Sequence, residues 1–370
     1  HRFDSVLSLQ HNYKMTSKFS TNALKELAPY KAASQDIWKE DSNTKLKLDW
    51  NEGVVKPPKI VTDSLNDFLD KGMFNFYPNT QNKDLLNSIS NYISCKESNI
   101  SYFSGIDHLH EYIVRAFLNE GDKVSILTPT YDNFRAVCES SGIKINKIDY
   151  YSESNDLYKL SNFDSKVVYF ANPNNPTGHI IDTKVIKNWL INNPDTLFVI
   201  DEAYIEFSGV SSKNFINEFN NILICRTLSK AFCLAGIRFG YCLSSESIIN
   251  SLNSIRNPKS VSMFSQILAL AALNNLNYVS EYVNKNNNAK NILKRRILEK
   301  FQNVKLSGDH GNFLLLRFSS KQDCDNFIEY LKSIGISIRD TQHLVPNSCR
   351  VTIPVDEGLD FLLKSIDEVE

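Results

Sequence analysis

Short, nearly unbroken apolar runs recur along this chain, and each one gives out into a polar cluster. The runs at residues 124–127, 167–171, 197–200, 222–225 and 239–243 are four or five residues long and show little polar alternation. A strand of that kind has no solvent face, so it must be buried on both sides. Amphipathic segments lie between several of them, as at residues 183–190, while Ile106, Leu109, Ile113, Val114 and Phe117 recur at the three- and four-residue spacing of one helix face. Buried strands alternating with helices predict an α/β chain built on a mostly parallel, doubly wound sheet.

From about Ile248 the texture changes to longer helical stretches, residues 265–273 and 282–301, and then to three strand candidates at 313–318, 336–338 and 350–353. Helical patterns at 321–334 and 357–369 separate and close them, which predicts a smaller α+β domain. At 370 residues the chain is long enough for both. The expected division is a polar leader at 1–22, a large domain at 51–250, and a small domain made of 23–50 plus 251–370.

A formal net charge of -1 gives no reason to expect nucleic acid or an anionic membrane surface as partner. The longest apolar stretches, such as 267–273, are far short of the roughly 20 residues that span a bilayer. Seven cysteines are scattered without a Cys-x-x-Cys pair, which fits reduced thiols and a cytoplasmic setting. The first twenty residues are polar and mixed, unlike a secretory signal. His108, His110, His179, His310 and His343 form no metal-ligand spacing, so no metal is expected.

Ligands of doubly wound sheets bind where the strands end, and the polar clusters fall there. Lys230 sits in Arg-Thr-Leu-Ser-Lys-Ala-Phe-Cys-Leu-Ala-Gly-Ile-Arg (226–238). Its amine suits a Schiff base with an aldehyde cofactor, and Arg238 with nearby hydroxyls suits that cofactor's phosphate. An ordinary basic loop would read the same if it stood alone. Asp201 follows a buried run in Asp-Glu-Ala-Tyr (201–204). A carboxylate there needs a cationic partner, such as a protonated pyridine nitrogen, although a helix cap or a metal ligand also fits. Asn-Pro-Asn-Asn-Pro-Thr-Gly (172–178) fixes a rigid turn whose asparagine amide can reach a phenolate oxygen. Gly105-Ile106-Asp107 opens a helix, a natural seat for phosphate, and Tyr131 lies just past a strand end, where its face can stack on a flat ring. Arg339 and Arg350 each stand beside a short apolar strand, with the planar fork that suits carboxylate or phosphate.

Taken together and in this order, these strings resemble the fold-type I pyridoxal-phosphate enzymes of aminotransferase class I/II, and within them the histidinol-phosphate aminotransferase branch. The likeness runs from about Leu24 to the C-terminus and includes Ala-Pro-Tyr (28–30), Phe-Tyr-Pro (76–78), Ile-Arg-Asp (338–340) and Cys-Arg-Val-Thr (349–352). The resemblance implies pyridoxal 5'-phosphate as cofactor, with Lys230 carrying it and later moving the substrate proton. It implies that Asp201 pairs with the ring nitrogen and that Tyr204 and Asn175 meet the ring's 3'-oxygen. Thr227, Arg238 and the amides of Ile106 and Asp107 would hold the phosphate, and Tyr131 would stack on the ring. Tyr77 would reach the cofactor phosphate of a neighbouring subunit, hence a homodimer. Arg350 would hold a substrate carboxylate, and Arg339 with Tyr30 the distal phosphate of a small phosphorylated amino substrate, in ping-pong with a keto acid such as 2-oxoglutarate. A decarboxylase of a phosphorylated amino acid, or an aminotransferase for another phosphorylated carbonyl compound, shares the same scaffold. The chain departs from the branch at Trp-Asn-Glu-Gly (50–53), at His108 and at residues 256–263, all near where the amino donor would bind.

Overall fold

The computed structural model describes residues 17–28, 30, 35–151, 157 and 160–369; most of the expected leader, and Pro29 of the Ala-Pro-Tyr string, lie outside that set. Two sheets organise the chain. The smaller contains β1 (Leu46–Leu48), β9 (Lys305–Ser307), β10 (Phe313–Arg317), β11 (Ile336–Asp340) and β12 (Ser348–Thr352), in the order β1-β11-β12-β10-β9. The larger contains β2 (Ile100–Phe103), β3 (Lys123–Thr128), β4 (Lys144–Asp149), β5 (Val167–Ala171), β6 (Leu197–Asp201), β7 (Ile222–Thr227) and β8 (Gly240–Ser244), in the order β2-β8-β7-β6-β5-β3-β4.

Strands β3 to β7 run parallel, β8 runs against β7, and β2 runs against β8, so six of the seven share one direction. Residues of β5, β7 and β8 are buried throughout, as their apolar composition requires of a sheet covered on both faces. Four strands have no counterpart among the expected ones: β1, β2, β4 and β9. β1, β2 and β9 are only three or four residues long, and edge strand β4, Lys-Ile-Asn-Lys-Ile-Asp, buries little.

The helices form where caps and apolar spacing coincide. Thr183–Asn192 begins where Asp182 accepts the Lys184 amide, and its Trp189 is sealed edge-on against Phe163 and Phe170. Truncating that tryptophan to alanine would cost about 3–5 kcal/mol. Met263–Leu273 starts where Ser262 accepts the Ser265 amide, and it packs on Lys59–Lys71 and Lys83–Ile93. The chain enters the small sheet early, because β1 pairs in parallel with β11 (Leu46 beside Ile336). That pairing delivers residues 49–53 to the edge where the strands of the large sheet end.

Candidate active site

Because β2, β5, β6 and β7 point the same way, their last residues gather along one edge of the sheet. In register, Ala171 lies beside Asp201 and Asp201 beside Cys225, while Thr227 and Phe103 both pair with Gly240. The loops that leave this edge carry the polar strings.

The lysine comes first. Lys230 Nζ donates to the carbonyl oxygen of Trp50 at 2.9 Å and stands 5.8 Å over the Tyr204 ring. Burial, then the Arg350 guanidinium, pulls its pKa down to about 8, against an opposing pull from Glu52 and Asp107. The amine is therefore partly neutral at physiological pH, which a nucleophile for an aldehyde needs.

Asp201 is 4% exposed, and burial pushes its carboxyl up to about 6. Two donors work against that penalty: the Ala203 amide at 2.9 Å on Oδ1 and the Tyr169 hydroxyl at 3.1 Å on Oδ2. Tyr204 is also buried, which pushes its phenol up to about 12, and its hydroxyl accepts from Asn51 Nδ2 at 2.9 Å. Asn51 itself sits in the left-handed region at φ 54°, a conformation asparagine tolerates, and it is held by Thr352 of β12 through its amide at 3.0 Å.

The start of the helix Gly105–Phe117 lies against the beginning of β8. A Cβ on Gly240 would fall 2.8 Å from the carbonyl carbon of Gly105 and 2.8 Å from the nitrogen of Ile106, so only glycine permits this approach. Gly105, at φ +84°, leaves room for Arg238, whose Nη2 would be 2.7 Å from an added Cβ. Arg238 donates to Asp107 Oδ2 at 3.1 Å, and Tyr131 donates to Asp107 Oδ1 at 3.0 Å. Thr227 Oγ1 donates to the Phe239 carbonyl at 3.0 Å, takes the Ser229 amide at 3.1 Å, and lies 2.8 Å from Ser229 Oγ. A helix N-terminus, an arginine and two hydroxyls thus converge, the donor set a phosphate requires.

Opposite this cup lie the arginines of the small sheet. Arg350 donates through Nη1 to Asn175 Oδ1 and through Nη2 to the Asp49 carbonyl at 2.6 Å. Its Nε is buried with no hydrogen-bond partner among the described residues, and burial lowers its pKa. Arg339 is its register partner across β11 and β12. Tyr30 lies within the electrostatic reach of both arginines, and its ring meets Tyr131 edge-on at 6.0 Å. Tyr77 is the exception among the expected residues. It stands 79% exposed, with Lys259 Nζ 4.6 Å over its ring.

These residues fit a flat, phosphorylated aldehyde. The cup matches the phosphate, the buried Asp201 matches a ring cation, Lys230 matches the aldehyde, and the Arg350 Nε–H remains to be answered by an anion. Trp50, Asn51, Tyr169 and Ser229 also belong to the arrangement and were missed from sequence. Residues 50–53 were singled out only as a departure, Tyr169 passed for another apolar strand residue, and Ser229 was read merely as the neighbour of Lys230. Among the described residues, no cluster of His, Cys, Asp and Glu could hold a metal.

Comparison with known proteins agrees with this geometry. Residues 43–366 match the family of class I and II aminotransferases. The chain is similar to the dihydroxyacetone phosphate transaminase of Campylobacter jejuni, with 38% identity over 360 residues that make up 93% of this chain and 95% of that protein. It is 30% identical over 337 residues to the histidinol-phosphate aminotransferase of Thermoanaerobacter sp., covering 87% and 92% of the two chains. The crystal structure of histidinol-phosphate aminotransferase from Sinorhizobium meliloti with pyridoxal-5'-phosphate superposes with a TM-score of 0.86 at 24% identity, over 96% of this chain and 98% of that one. The chain therefore belongs to the class I and II aminotransferases, as a pyridoxal-phosphate enzyme of fold type I.

Proposed function

We propose that this aminotransferase exchanges an amine between a small phosphorylated compound and a keto acid such as 2-oxoglutarate. The observation that carries the reading is the pairing of Arg339 with Arg350 across β11 and β12, with Tyr30 beside both. One fork suits the carboxylate of the keto acid, and the second, with the Tyr30 hydroxyl, suits a phosphate at the far end of the other substrate. The similarity to a dihydroxyacetone phosphate transaminase, at 38% identity, favours a short phosphorylated carbonyl compound over the longer histidinol phosphate.

Pyridoxal phosphate, when bound, supplies an aldehyde for the substrate amine and a cationic ring that draws electrons from the α-carbon. The chain supplies the rest. Ile106, Asp107, Thr227 and Arg238 bind the phosphate, Tyr131 covers one ring face, and Tyr204 and Asn175 meet the ring oxygen. Asp201 keeps the ring nitrogen protonated. The amine of Lys230, with a pKa near 8, takes the proton from the substrate α-carbon and returns it. Arg350 turns the substrate so that the bond being broken faces that amine.

Tyr77 would act in a homodimer, reaching the partner's cofactor phosphate. Phe74 and Phe76, close to Tyr77 in the chain, are each more than half exposed, apolar surface that suits a second copy. Among the described residues, no helix is long and apolar enough to cross a membrane. All seven cysteines are free thiols, which supports a cytoplasmic setting. For the domains we keep the division into 51–250 and 23–50 plus 251–370; the β1–β11 pairing supports assigning the early segment to the small domain.

Single-turnover absorbance with phosphorylated amines tests the substrate class. The aldehyde-form absorbance should fade fast with the amine of dihydroxyacetone phosphate and slowly with its dephosphorylated counterpart. Equal rates would contradict the phosphate reading. Carbon dioxide release from a phosphorylated amino acid without a keto acid would point to a decarboxylase instead.

A further inference from the structure

The geometry points to Tyr169 as the positioning residue that holds Asp201 ionised and aimed at the cofactor ring, a role that rests on the assignment of Asp201 to the ring nitrogen. Tyr169 is the middle residue of β5, one strand over from Asp201, and is fully buried. A tyrosine in such a strand has no need of its hydroxyl for packing. Here that hydroxyl is spent on Asp201 Oδ2 at 3.1 Å.

Two neighbouring rings clamp the Tyr169 ring. Phe134 stacks on it at 4.4 Å with planes 18° apart, and His110 meets it edge-on at 5.4 Å and 90°. His110 is fully buried, and burial lowers its pKa to about 4, so it packs as a neutral ring and brings no competing charge. The second carboxylate oxygen is fixed by the Ala203 amide, so Asp201 is gripped at both oxygens and its plane is set. A buried carboxylate held by fewer donors would take up a proton more readily. The other titratable groups that act on Asp201 or are acted on by it are Asp107 at the helix start, Lys230, Tyr131, Tyr204 and Cys225 of β7. Of these, Asp107 raises and Lys230 lowers its affinity for a proton. Neither is touched by changing Tyr169 to phenylalanine.

The experiment is a double-mutant cycle on cofactor binding by the apoenzyme, measured against pH. Tyr169→Phe keeps the ring in its clamp and removes only the donor. Affinity for pyridoxal phosphate should fall about ten- to a hundredfold at pH 7, the usual consequence of stripping a hydrogen bond from a buried charge. The acid limb of the affinity profile should also move up by about one pH unit, because the carboxyl loses a group that stabilised its anion. In an Asp201→Asn background the same change should cost little, since no anion is left to support. An unmoved acid limb, or an equal loss in both backgrounds, overturns the proposal and leaves Asp201's own role standing. Undiminished binding in Asp201→Asn alone would overturn both.

Discussion

The large-sheet and small-sheet halves of the site are built on different plans. On the large sheet, the groups assigned to the cofactor come from strand ends in one register, and each is fixed by a local partner: Asp201 by the Ala203 amide, Thr227 by the Phe239 carbonyl, Arg238 by Asp107. On the small sheet, Arg350 is held by the Asp49 carbonyl just past β1 and reaches across to Asn175, so its position depends in part on how the two halves meet. The first plan suits a permanent cofactor, and the second suits ligands that come and go. Chemistry should therefore track the large sheet, and selection among substrates the small one.

The largest effect expected on the chemistry side is from Lys230→Ala, which should lower kcat by about ten-thousandfold, the upper range for loss of a positioned acid–base group. Steady-state assay of the purified variant checks it; a loss under tenfold would dissociate the lysine from proton transfer. Arg350→Lys and Arg339→Lys come next, and they should differ in kind. Each loses the planar fork, and KM should rise about ten- to a hundredfold, for the keto acid with Arg350 and for the phosphorylated partner with Arg339. If both variants weaken the same substrate, the two forks do not divide the labour. Smaller is the pH effect. Because the amine must be neutral to take up the aldehyde, cofactor uptake by the apoenzyme should accelerate about tenfold per pH unit up to about 8 and then level. Stopped-flow mixing follows it directly. Smallest is Gly240→Ala, whose Cβ would press the start of the helix Gly105–Phe117 out of place. Overpacking of this kind costs about 1–3 kcal/mol, readable as a lower melting temperature and weaker phosphate retention.

The same contrast decides what could be read from the residues alone. The groups proposed for the cofactor lie in contiguous strings at the ends of apolar strands, because parallel strands deliver them to one edge, so the strings that hold Lys230, Asp201, Asn175 and Arg238 stand out in the sequence. Most of the fold was legible for the same reason; β1, β2 and β9 are too short to give a pattern, and the two isoleucines of β4 among charged and polar neighbours leave almost no apolar signal. Asn51 and Trp50 escaped because their place depends on the β1–β11 pairing, a contact between residues almost 300 positions apart. Tyr169 escaped because a buried aromatic with a working hydroxyl has the same pattern as one without.

Borohydride reduction of the yellow holoenzyme, followed by digestion and peptide mapping, tests the cofactor assignment most directly. The account requires one cofactor adduct per chain, on the peptide that contains Lys230. An adduct on Lys213, Lys259 or any other lysine, or no adduct at all, would contradict it.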